Sequence, residues 1–150
     1  MSWTVDWSGL DMKRVYKQGI GSEVQVNEYK EKVEEFLNEI TDFKPENEYG
    51  DIYRPKKGED RGQGKFTVDK DFRVVGYPNR ETNVWYATDM GHKDFIPSHI
   101  LERRAAIWQR LISSDYFTMG YSAYKKEYNT IIRELDDNWE DIMFYNPEYK

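Results

Sequence analysis

The chain of 150 residues contains no cysteine. Disulfides, thiolate zinc sites and thiol catalysis are therefore excluded together, and the composition suits a reducing compartment. Histidine is nearly as scarce, with only His92 and His99 available for imidazole chemistry. No apolar run approaches the ~20 residues of a membrane-spanning helix. The N-terminus, Met1-Ser2-Trp3-Thr4-Val5-Asp6-Trp7, has neither a basic leader region nor an apolar core segment. These absences lead us to expect a cytoplasmic or otherwise intracellular protein with no signal peptide, no transmembrane segment and no membrane partner. Positive charge is also short, with 22 Lys and Arg against 28 Asp and Glu, a net charge of −6. The excess is spread over both halves, which argues against a nucleic-acid binder, because backbone binding runs on clustered bases. Gly19-Ile20-Gly21 and Gly62-Gln63-Gly64 lack the further glycines and the lysine of a phosphate loop, and no serine lies in a nucleophile elbow.

Aromatic residues, by contrast, are plentiful: 12 Tyr, 7 Phe and 5 Trp, or 16% of the chain. Rings carry the largest burial energy per side chain, so this is a folding sequence despite its polarity. Trp3, Val5 and Trp7 alternate with polar residues in the manner of a short strand. From Ser22 the period changes: Val26, Tyr29, Val33, Phe36, Leu37 and Ile40 share one helical face, with Ser22 and Gln25 placed as a capping pair. Residues 44–64 are rich in proline, glycine and charge and predict a long polar loop. Three β-like runs follow, over 65–68, 72–77 and 83–88, separated by turn residues, and predict an antiparallel meander. Pro97 and Ser98 open a helix striped with Ile100, Leu101, Ala105, Trp108, Leu111 and Ile112, its other side covered by Glu102, Arg103, Arg104 and Arg110. A last helix begins near Ser122 and ends before Asn146-Pro147. The expected fold is a single α+β domain over 1–150: an N-terminal amphipathic helix, a small three-stranded meander and two C-terminal helices, closed around Phe36, Trp85, Trp108, Ile132 and Trp139.

Reactive side chains concentrate at Asp89-Met90-Gly91-His92-Lys93-Asp94, after the third run. An imidazole between two carboxylates can hold a divalent metal such as Mg²⁺ through Asp89, His92 and Asp94, or serve as a general base. His99 and Glu102 are near enough in sequence to join. The bland alternative is a glycine turn, two helix-capping aspartates and a surface histidine. Asn79-Arg80, Trp85 and Asp89-Met90-Gly91-His92-Lys93 resemble a segment of the HNH/endonuclease VII nucleases found among bacterial polymorphic toxins. The resemblance implies a metal-dependent phosphodiesterase with His92 as general base and Asp89 on the metal side. That family completes its metal site with a later Asn and a second His, and here only His99 could substitute.

The second concentration is acidic. Glu134, Asp136, Asp137, Glu140 and Asp141 place five carboxylates within eight residues, and Glu23, Glu28, Glu31, Glu34, Glu35 and Glu39 repeat the theme on the first long helix. A solvated helix face explains any one such run; two suggest a surface that meets a basic partner. The favoured expectation is a small acidic, non-enzymatic binding protein, an inhibitor, an immunity-type protein or an assembly component. It requires no cofactor and docks on a protein partner through those acids and tyrosine-rich surface including Tyr53, beside the basic residue Arg54. Self-assembly and the His92 phosphodiesterase are the alternatives.

Overall fold

The computed structural model describes residues 3–56 and 63–112. The expected helix near 122–146, with Ile132, Trp139 and the acidic run 134–141, lies outside the described residues, as does the side chain of Trp108. The described part is a mixed α+β structure. In chain order it comprises β1 (Thr4–Asp6), α1 (Met12–Lys17), α2 (Glu23–Glu39), β2 (Tyr53–Pro55), β3 (Gly64–Asp69), β4 (Phe72–Asn79), β5 (Val84–His92) and α3 (Ser98–Ile112). The strands form one sheet in the order β1-β5-β4-β3-β2, antiparallel throughout except for β1, which runs parallel to β5. The predicted meander is its centre, enlarged by one short strand on each edge.

α2 starts where the capping pair predicts. The Ser22 hydroxyl accepts from the Gln25 N–H at 3.2 Å, and the Gln25 side-chain oxygen accepts from the Gly21 N–H at 2.7 Å. Two N–H groups at the helix mouth are thus satisfied from one pair of side chains. Replacing Ser22 with alanine should cost about 1 kcal/mol of stability, read by chemical denaturation. An unchanged midpoint would mean that Gln25 alone holds the start.

Val26, Tyr29, Val33 and Leu37 of α2 are buried against one face of the sheet. Full burial of a side chain such as Leu37 contributes about 1.5–3 kcal/mol. Aromatic rings continue this layer: Phe66 packs edge-on against Trp85 at 4.8 Å and against Phe36 at 5.5 Å, and Phe43 packs edge-on against Trp3 at 5.5 Å. Trp7 ties β1 to the helix by donating from Nε1 to Glu34 at 2.8 Å.

α3 lies on the opposite face, against β4 and β5. Strand alternation puts Phe66 and Val74 toward α2, and their neighbours Lys65 and Val75 toward α3. There Glu102 is clamped by Lys56 at 2.9 Å and Lys65 at 3.5 Å.

The region predicted as a polar loop differs from expectation. Tyr53 is fully buried (0% exposed), and its hydroxyl donates to the Pro45 carbonyl at 3.0 Å. Its ring lies 5.1 Å from Phe43 and 4.8 Å from Phe66, and this packing carries residues 53–55 onto the edge of β3. A strand forms there because one aromatic anchor outweighs a polar, proline-rich neighbourhood.

Candidate functional site

The reactive segment 89–94 is not a turn after the third strand, because β5 runs through it to His92. An irregularity in that strand decides where its side chains point. Val75 pairs with Asp89 while the next residue, Gly76, pairs with Ala87, so Thr88 is an extra residue in a β-bulge. Strict alternation from Trp85 would send Asp89 toward α2. The bulge sends it toward α3 instead, and Thr88 secures the distortion by donating from its hydroxyl to the Val75 carbonyl at 3.1 Å.

Asp89 is consequently buried in a polar network built from three elements. Its Oδ1 accepts from Gln18 Nε2 at 3.0 Å, and its Oδ2 lies 3.5 Å from Nη1 of both Arg104 and Arg14. Arg104, only 1% exposed, also donates to Gln18 Oε1 at 2.7 Å. Gln18 itself caps α1, and its carbonyl accepts from the His92 N–H at 2.8 Å, so the end of α1 is stitched to the end of β5. The amide of Gln18 hydrogen-bonds Oδ1, while Oδ2 faces the two guanidiniums at ion-pair distance without a hydrogen bond, and the arrangement ties α1, β5 and α3 together. Arg104 was expected on the exposed side of its helix. Its place at the centre of the stripe Leu101, Ala105 and Trp108 was the available signal that it is buried.

His92 belongs to a different group. Its Nδ1 accepts from the Asp94 N–H at 3.0 Å, which puts the proton of the neutral ring on Nε2. Nε2 faces Asp71 Oδ2 at 4.0 Å, and the ring is wedged edge-on between Phe72 at 4.7 Å and Phe95 at 5.7 Å. Lys93 reaches Asp71 at 3.1 Å, and its hydrogen bond holds the Asp71 carboxyl below the usual carboxylate range. The set Asp89, His92 and Asp94 is thus divided: Asp89 faces Arg104 and Arg14, while the His92 ring lies between Asp94 on its Nδ1 side, at 3.8 Å, and Asp71 on its Nε2 side. Among the described residues no three His, Asp or Glu side chains converge as a metal site would require. Glu102 is engaged by its two lysines, and His99 is exposed on the first turn of α3, so neither joins His92.

No protein family, curated protein or solved structure matches the chain. The nuclease resemblance therefore stands on the 79–93 stretch alone.

The residues expected to bind a partner are distributed as follows. Glu134, Asp136, Asp137, Glu140 and Asp141 lie outside the described residues. Tyr53 is a core residue rather than a contact residue, and burial holds its phenol above the ordinary value. Among the described tyrosines Tyr29 and Tyr77 are buried as well, whereas Tyr16 is exposed. Arg54 is exposed and pairs locally with Asp51 at 3.2 Å.

The acidic face of α2 lies within the described residues. All six of its glutamates are exposed, and among the described residues none is in an ion pair; Glu34 is engaged only by Trp7. Glu31, Glu35 and Glu39 follow one another at intervals of four, forming a single row toward the C-terminal end, where the last turn has no base. Like charges at this spacing repel, and acids at a helix C-terminus oppose the macrodipole, each at a cost of a few tenths of a kcal/mol. Beside this row, between α2 and β3, lies a groove of about 300 Å³ with Phe36, Phe66 and Val68 in its wall and Ile52 at its rim. Ile52 is half exposed, an isolated aliphatic residue in a polar segment.

Proposed function

We propose that this chain is a small acidic binding protein, without catalysis of its own, that docks on a basic protein partner as an inhibitor, immunity-type protein or assembly component. The observation that carries this reading is the row Glu31–Glu35–Glu39. It is exposed, forms no ion pair among the described residues even with Lys32 on the same helix, and is set against the helix dipole, so it weakens its own helix. A basic surface would relieve the repulsion and gain attraction and a faster encounter in return. The adjoining apolar groove supports the same reading, because interfaces combine an apolar centre with a polar rim. A carboxylate row is also poorly suited to approach phosphates, which disfavours a nucleic-acid partner.

The test is a native pull-down from extract of the source organism after nuclease treatment, followed by association kinetics with the captured protein. A stoichiometric basic protein released by high salt is expected. Charge reversal at Glu31, Glu35 and Glu39 should slow association about tenfold or more at low salt and flatten its salt dependence. An unchanged on-rate in that variant would remove α2 as the docking face. Phosphodiester cleavage in Mg²⁺ buffer that is lost in His92→Ala would replace the reading with a catalytic one.

A further inference from the structure

We infer that the groove between α2 and the outer edge of β3 is a socket for one apolar side chain of the partner, presented on a segment that also carries lysine or arginine. The inference rests on the docking reading and adds to it the chemistry of the segment recognised. The groove exists because β2 is short. It pairs with Gly64, Lys65 and Phe66 only, and its last link to β3 is the Thr67 N–H donating to the Ile52 carbonyl at 2.8 Å. Beyond that point the groove is floored by Phe66 and Val68, themselves only 1% and 6% exposed; among the described residues no further strand pairs with β3 on that edge, and Ile52 stands at the margin with 49% of its surface exposed.

Three properties select the occupant. The volume, about 300 Å³, is at the low end of small-molecule sites and suits one or two side chains. The wall is mainly apolar, and its ionic groups are surface residues of α2, with no convergent set of buried polar groups such as a small ligand would need for orientation. Lys32, Glu35 and Glu39 border it on the helix side, two acids against one base; the acids stand one turn or ~6 Å apart, with no ion-pair partner among the described residues. An apolar residue flanked by bases would therefore fill the socket and neutralise its rim together. A second copy of this chain is a poor occupant. It carries the same net charge of −6, and the same glutamate row would be brought against its twin.

The experiment titrates the isotope-labelled full chain with three synthetic peptides and follows backbone and methyl resonances. The first has a leucine flanked on both sides by serine and lysine; the second replaces the leucine with alanine; the third replaces the lysines with glutamate. The leucine peptide should shift Val33, Phe36, Ile52 and Phe66, bind about tenfold more tightly than the alanine peptide, and exceed the glutamate peptide by more. Ile52→Asn, a change at a half-exposed position that leaves the charge unaltered, should weaken the leucine peptide about fivefold and the alanine peptide not at all. Equal binding of the leucine and alanine peptides, with shifts confined to the glutamate row, would overturn the socket and leave the docking reading standing. If neither lysine peptide perturbed α2, the docking reading would fail and the socket with it.

Discussion

Asp89→Ala is expected to destabilise the protein by about 3–5 kcal/mol, a large share of the ~5–15 kcal/mol that holds a domain of this size together. The carboxylate is fully buried, and its loss would deprive the buried guanidinium of Arg104 of a counter-ion and Gln18 of an acceptor. The effect belongs to breaking one side of a buried pair rather than to the net contribution of the pair as such. Replacing Asp89 and Arg104 together with leucine and methionine should therefore recover much of the loss. Guanidinium-induced unfolding at neutral pH measures both. A single variant within about 1 kcal/mol of the parent would mean that water reaches Arg104 and that α1, β5 and α3 are not locked through this network.

Gly76→Ala is the second large effect, at about 3 kcal/mol, toward the upper end of overpacking penalties. A β-carbon there would overlap the Tyr86 carbonyl oxygen and stand 2.8 Å from Trp85 Cη2. Neither can yield, because the first is backbone of the paired strand and the second is the tip of a fully buried ring. Gly50→Ala provides the contrast. Its φ of +59° disfavours a side chain, but nothing lies within 4 Å of the added atom, and the cost should be about 1 kcal/mol. The pair separates lack of space from lack of conformational freedom. Equal losses at the two positions would show that the bulged part of β4 and β5 can relax around an extra methyl group.

The candidate site was legible where local pattern carries it and illegible where distant residues decide it. The glutamate row on α2 follows from a helix whose period and cap are written in residues 22–40. The groove beside it could be anticipated only from Ile52, an aliphatic residue within a charged segment. Asp89 shows the opposite case. Its acidic neighbours in sequence suggested a metal or acid–base role, yet its partners are Gln18, 71 residues away, and Arg104 and Arg14 on two helices. Tyr53 misled for a similar reason: proline, glycine and charge around it describe a loop, and its burial depends on packing against Phe43 and Phe66.

By itself the sequence determined the acidic balance, the absence of thiol chemistry, the limits and apolar face of α2, the start of α3 and the three central strands. Each of these depends on periodicity, capping or composition within a few residues. The tertiary structure alone decided that β1 runs parallel to β5, that β2 closes the other edge, and that the bulge at Thr88 turns Asp89 from one face of the sheet to the other. A strand's alternation tells which residues share a face until a register shift intervenes. Whether one intervenes depends on hydrogen bonds with another strand, and no local pattern records them.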